Sequence, residues 1–222
     1  MSEFQFGSSV HGLRTDNSDY DCGVVTLSDN VWDYLLVDSG NLKVPTNKQT
    51  KRSYGDFLEL DFASLLNQCL NPNAQSLQVV ATLTNKALKN MCAALLDYRN
   101  FTAFFYRTQA FNNNTKDTAK GRVQKYVATR YADLYFGMAD FDETYVNLYP
   151  DVWKMDSGVG EALRFYMKTG NMLPEYMKEV DTYSNVIMGM LESQLDTYAK
   201  LNAYNVRAIA GQMMWDVLKG AF

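Results

Sequence analysis

Short apolar or alternating runs, separated by turn-forming residues, characterise residues 3–62. The runs lie at residues 3–6, 22–27, 34–37 and 57–60, and Gly, Ser, Asp and Asn are frequent between them. Such runs, bounded by turn signals, are typical of β-strands. The N-terminal part of the chain therefore predicts a small mixed β-sheet.

From about residue 61 onward, apolar residues recur at steps of three and four, which is the spacing of one helical face. The pattern covers residues 61–70, 76–83 and 85–111, and it resumes at 122–141 after the polar stretch 112–121. Residues 147–160 carry proline and glycine and predict a connection between helices. Ser157, near the end of this stretch, can cap the following helix. Further helices are expected over 174–198 and 204–219.

The order of these elements predicts an α+β fold. A catalytic core is expected over residues 1–82, with a helical lobe over residues 83–222 that completes a cleft. Because ligands commonly lodge in clefts between lobes, we expect the functional site at their junction.

The composition limits the catalytic mechanisms that are available to the chain, but it does not indicate a fold. The chain has 222 residues, a formal net charge of -4 and three cysteines without C-x-x-C spacing, so neither a disulfide framework nor a zinc site is indicated. His11 is the only histidine, so mechanisms that need a catalytic histidine or a histidine metal cluster have one candidate. Carboxylate chemistry is favoured.

No apolar run is long enough to span a membrane, and the sequence MSEFQFGSS lacks the pattern of a signal peptide. We therefore expect a cytoplasmic protein with no membrane partner.

Two aspartates at the entry to a predicted strand are the first candidate for chemistry. Asp19 and Asp21 are two residues apart, so on a strand they would share a face while Tyr20 points away. Adjacent carboxylates repel unless a cation lies between them, and Mg2+ uses one or two protein carboxylates with phosphate oxygens. A solvated acidic pair is the alternative interpretation.

A Gly-Ser dipeptide follows the first predicted strand. Gly7 would let the backbone approach a phosphate closely, and the Ser8 hydroxyl and neighbouring amides can bind phosphate oxygens. Taken alone, Gly7-Ser8 is equally compatible with a simple turn. Together with the aspartates it predicts the two halves of a nucleotide site.

The combined pattern resembles the nucleotidyltransferase signature of the polymerase-β superfamily. The motif G-S-x-x-x-G-L-x-x-x-x-S-D-x-D is similar to that of the RNA-repair-pathway nucleotidyltransferases, and it is formed here by Gly7, Ser8, Gly12, Leu13, Ser18, Asp19 and Asp21. The resemblance implies that Asp19 and Asp21 bind two Mg2+ ions, with Mn2+ as an alternative metal. It covers residues 5–80 and is thin beyond them.

The resemblance also implies a third metal-binding carboxylate on a later strand. Residues 55–80 are similar to that region, and the best match makes Asp56 the third catalytic residue, with a helix over 61–70. Glu59 and Asp61 are its rivals. If the strand begins at Asp56, then Leu58 and Leu60 share its face and Glu59 points away.

Cationic residues of later helices are further nucleotide-binding candidates implied by the resemblance. Lys125 and Arg130 are the two residues considered, although solvated helix charges explain them equally well. His11 lies between the two halves of the motif, where packing or hydrogen bonding near the nucleotide is favoured over a role as catalytic base.

The resemblance implies an enzyme that transfers a nucleoside monophosphate from an NTP to an acceptor hydroxyl and releases pyrophosphate. An RNA end is the acceptor suggested by the subfamily, whereas the acidic chain leaves a small molecule or a protein side chain open. A nucleotide-binding protein without catalysis is the alternative from another functional class.

Overall fold

A four-stranded mixed β-sheet forms the N-terminal part of the chain in the computed structural model, which describes residues 2–10, 18–26, 48–97, 100–137 and 157–195. The strands are β1 (Ser2–Gln5), β2 (Cys22–Thr26), β3 (Lys48–Arg52) and β4 (Gly55–Asp61), in the spatial order β1-β2-β4-β3. β2 and β4 are parallel, and the two outer strands are antiparallel to their neighbours. The expectation of an α+β fold with an N-terminal mixed sheet is confirmed.

The alternation of β4 explains how the sheet is oriented. Leu58 and Leu60 are buried, whereas Phe57 and Glu59, on the other face, are only half-buried. The strand therefore turns one side toward the hydrophobic core. β3 has no such alternation, because all five of its residues are exposed.

Seven α-helices follow in the described part of the chain. They are α1 (Phe62–Leu70), α2 (Ala74–Thr82), α3 (Lys86–Leu96), α4 (Phe101–Asn114), α5 (Ala119–Gly137), α6 (Ser157–Thr169) and α7 (Pro174–Gln194). Asparagine side chains accept a backbone amide at the start of α2, α3 and α4, namely Asn73, Asn85 and Asn100. None of the described helices combines the length and apolar character needed to cross a membrane.

Most of the predicted elements are present, with local differences that have physical causes. The helical pattern over 85–111 is divided into α3 and α4, because the Asn100 side chain caps a new helix there. The helix expected from Asp61 begins one residue later, since Asp61 completes β4. The run 34–37 and the helix over 204–219 lie outside the described residues.

One hydrophobic cluster joins the sheet to the helices. It extends from Phe4 on β1 to Leu191 on α7, so the two predicted regions, 1–82 and 83–222, share a core. α2 packs against β1 and α5, and α5 also packs against α7. The end of β1 is therefore linked through α2 to the centre of the helical region.

Candidate functional site

The turn that follows β1 has a backbone conformation that favours glycine. Residues Gly7–Ser9 form one turn of 3-10 helix, and Gly7 has a φ of 72°. A Cβ atom on Gly7 would lie 2.4 Å from Oδ2 of Asp21. The Gly7 backbone thus packs directly against the Asp21 carboxyl group.

Asp21 and Asp56 lie side by side at corresponding positions of the parallel strands. Cys22 pairs with Phe57, so the preceding residues, Asp21 and Asp56, continue that register. The Asp56 backbone amide donates to Oδ1 of Asp21 at 3.0 Å. The Phe6 amide donates to the Asp21 carbonyl at 3.2 Å. Three segments distant in sequence therefore meet around Asp21.

The three candidates for the third carboxylate take different places on β4. Asp56 lies beside Asp21, on the same face as Leu58. Glu59 points to the other face, with Lys48 as its register partner on β3. Asp61 is the last residue of β4, directly before α1. Of the three, Asp56 is the one that the structure brings to Asp21, while its metal-binding role stays a prediction.

Asp19 is less closely associated with the site than Asp21. Its side chain is exposed, and it precedes β2 in a segment without regular structure. Within the ranges that the structure describes, no group of three His, Cys, Asp or Glu side chains is placed to hold a metal ion. The predicted cluster of three carboxylates is thus represented by the Asp21–Asp56 pair, and the role of Asp19 stays a prediction.

Two residues of β3 complete the surroundings of Asp56. Gln49 donates from Nε2 to Oδ2 of Asp56 at 3.0 Å. Lys51 is the register partner of Asp56 and is exposed. The sequence pattern did not reveal either residue, because β3 is polar throughout and lacks the alternation by which strands are recognised.

A buried glutamine holds the Gly7 turn from the helical side. The Gly7 amide donates to Oε1 of Gln78 on α2 at 2.9 Å, and Gln78 is almost fully buried. Burial raises the pKa of Tyr131 on the neighbouring helix α5, and the nearby Gln78 side chain partly offsets the rise. The one sequence feature that could have indicated a role for Gln78 is its position as a lone glutamine within the apolar run SLQVVATL.

The cations predicted to bind nucleotide have carboxylate partners in the helical region. Lys125 lies 3.6 Å from Oδ1 of Asp181 on α7, and Arg130 pairs with Asp133 one turn further along α5. Burial lowers the pKa of Lys125, and the nearby Arg122 adds to the effect. Lys125 thus has a partner on another helix and Arg130 has one on its own helix, and the nucleotide role of both stays a prediction. His11 lies outside the described residues.

Comparison of the chain with protein-family models, with curated proteins and with solved structures found no match. The functional interpretation therefore depends on the residues themselves and on the geometry of the Gly7, Asp21 and Asp56 site.

Proposed function

We propose that this protein is a metal-dependent nucleotidyltransferase of the polymerase-β type, which moves a nucleoside monophosphate from an NTP to an acceptor hydroxyl and releases pyrophosphate. The observation that carries the proposal is the meeting of a glycine-containing turn with two carboxylates, one directly before β2 and one on the parallel strand β4. Gly7 lies against Asp21, and the Asp56 amide donates to the same carboxyl group.

The carboxylate pair suits a divalent cation. Asp21 directly precedes β2, beside Asp56 on β4, and two negative charges there would repel without a cation. Mg2+ binds oxygen ligands and commonly uses one or two carboxylates, with substrate phosphates completing its coordination. A bound Mg2+, or Mn2+ in its place, would supply charge neutralisation and lower the pKa of the attacking hydroxyl. Asp19 is proposed as a further ligand on the basis of the D-x-D motif alone.

The turn at the end of β1 would hold the triphosphate. Since the Gly7 amide is already bonded to Gln78, the groups proposed to bind phosphate oxygens are the Ser8 hydroxyl and the backbone amides that follow Gly7. Amides at the start of a helical turn point toward an anion and favour negative charge. Most of the catalysis would then come from positioning and charge neutralisation.

The acceptor is proposed to be a polyanion such as an RNA end. β3 borders Asp56 and exposes three cations in an acidic protein, namely Lys48, Lys51 and Arg52. Arg52 also lies over the ring of Phe57, 3.4 Å from its centroid. Positive charge at the edge of an active site attracts phosphate backbones. A small-molecule or protein acceptor is the competing possibility, and it is distinguished by the experiment below.

The test is incubation of the protein with each α-labelled NTP and Mg2+, with and without total RNA. Label incorporated into RNA would support both the transferase activity and the RNA acceptor. Label incorporated into protein or into a small product would support the transferase activity with a different acceptor. If no label is transferred from any NTP, the proposed enzyme activity is wrong. Asp19→Asn and Asp21→Asn should each abolish transfer, and Asp56→Asn should lower its rate. Glu59→Gln is the matched control, because it removes one carboxylate from the same strand on the opposite face.

A further inference from the structure

The helix α2 holds the end of β1 through two side chains one helical turn apart. Thr82 exchanges hydrogen bonds with Gln5: its Oγ1 accepts the Gln5 amide at 2.9 Å and donates to the Gln5 carbonyl at 2.7 Å. Gln78 accepts the Gly7 amide at 2.9 Å. Residues 5 and 7 are thus both tied to the same face of α2, at the point where the strand becomes the phosphate-binding turn proposed above.

The orientation of the Gln78 amide follows from its partners. A backbone amide can only donate, so the atom that faces Gly7 must be Oε1. The amide nitrogen is then the donor end of the side chain, and Tyr131 on α5, the helix against which α2 packs, offers a hydroxyl oxygen near Gln78. Gln78 thus lies between the Gly7 turn and Tyr131.

Burial makes the hydrogen bond between Gly7 and Gln78 rigid and selective. Gln78 is 6% exposed and Tyr131 is 1% exposed, so neither group can readily exchange its partner for water. Gly7 has a left-handed φ that its neighbours must maintain, because a glycine has broad conformational freedom. A single buried acceptor on the Gly7 amide limits that freedom.

We propose that Gln78 is a positioning residue for the nucleotide site, which fixes the Gly7 turn in its phosphate-binding conformation. In this proposal the Gln78 amide nitrogen donates to the Tyr131 hydroxyl, which holds the Gln78 side chain in place. The consequence for triphosphate binding depends on the proposed function, whereas the effect on Gly7 itself does not. Gln78 touches no reacting group in this proposal and acts through the Gly7 amide.

The direct test measures hydrogen exchange at the Gly7 amide by NMR in the full-length protein. Labelling of phenylalanine carbonyl carbons and glycine nitrogens selects the two Phe-Gly pairs of the chain, which report Gly7 and, as an internal reference, Gly137. Gln78→Met keeps the length of the side chain and removes its hydrogen bonds. It should reduce the protection of Gly7 about tenfold, as expected for the loss of one hydrogen bond, and leave Gly137 unchanged.

Tyr131→Phe removes only the hydroxyl that fixes Gln78, so it provides a second variant that keeps the core filled. It should reduce Gly7 protection by roughly threefold, and this effect should vanish when Gln78→Met is already present. Tyr135→Phe is the matched control, because Tyr135 is also buried on α5 and donates to the Leu96 carbonyl at 2.9 Å. It should leave Gly7 protection unchanged.

Equal effects of Tyr131→Phe and Tyr135→Phe on Gly7, or full Gly7 protection in Gln78→Met, would overturn the proposal. The second readout is binding of NTP analogues with a non-hydrolysable α,β linkage, which Gln78→Met should weaken about tenfold and Tyr135→Phe should leave unchanged. If the wild type protects Gly7 but binds no triphosphate, the proposed function fails. That result also overturns the nucleotide role of Gln78. The exchange data would still show, independently, whether Gln78 holds the Gly7 amide.

Discussion

Replacement of Gly7 by alanine tests the packing at the centre of the site. Two costs add. A non-glycine residue in the left-handed region costs ~1 to 2 kcal/mol. The new Cβ would lie 2.4 Å from Oδ2 of Asp21, so the carboxyl group must rotate away and give up the Asp56 amide. Loss of a hydrogen bond to a charged group costs ~1.5 to 3 kcal/mol, which brings the expected total to ~2.5 to 5 kcal/mol.

Gly170 provides a matched control for this change. It follows α6 with the same φ of 72°, but a Cβ there meets nothing within 4 Å. Gly170→Ala should therefore cost only the conformational ~1 to 2 kcal/mol. Urea unfolding of both variants measures the difference, which should appear as a shift of midpoint at an unchanged slope. Equal losses of stability in the two variants would show that Asp21 does not occupy the space beside Gly7.

Other substitutions test the remaining assignments. Ser8→Ala should weaken triphosphate binding by ~1.5 to 3 kcal/mol in a titration with NTP analogues, and unchanged affinity would reduce Ser8 to a turn residue. Asp56→Asn should lower the rate of transfer far more than it lowers NTP affinity. Asp61→Asn should leave both unchanged, because asparagine is nearly as favourable as aspartate directly before a helix. A larger effect of Asp61→Asn than of Asp56→Asn would contradict the assignment of Asp56 as the third carboxylate. Asp181→Asn removes the α7 counter-charge of the partly buried Arg122 and should lower the free energy of unfolding by ~1 to 3 kcal/mol, below the cost for a fully buried pair. A value near zero would show that solvent replaces the carboxylate.

The sequence was informative where local chemistry decides the outcome. Alternation within FLEL predicted a strand with Leu58 and Leu60 on one face, and the same period assigned Asp56 to the buried side and Glu59 to the other. The helical spacing after residue 61 located α1, α2 and α5 and covered α3 and α4 as one continuous stretch, because one apolar face of each helix packs on the core.

The partners of the site were not predictable in the same way. Gln49 reaches Asp56 from a strand whose residues are all exposed, so its position depends on sheet pairing that no local period encodes. Gln78 lies in an apolar helix, and its partner Gly7 is far away in sequence. The divided helix at Asn100 shows the same limit, since a cap is decided by one side chain within an otherwise continuous pattern.

The parallel pairing of β2 and β4 has a consequence for the order of folding. Contacts at the site join residues that are 35 positions apart in the Asp21–Asp56 bond and 71 positions apart in the Gly7–Gln78 bond. Closing such long loops costs chain entropy before the new contacts contribute any stabilising free energy. Non-local contacts therefore form slowly. We therefore expect the helices α1 to α5 to form their local hydrogen bonds before the Gly7 turn packs against Asp21. The proposed nucleotide site would then form late in folding and be lost early in unfolding.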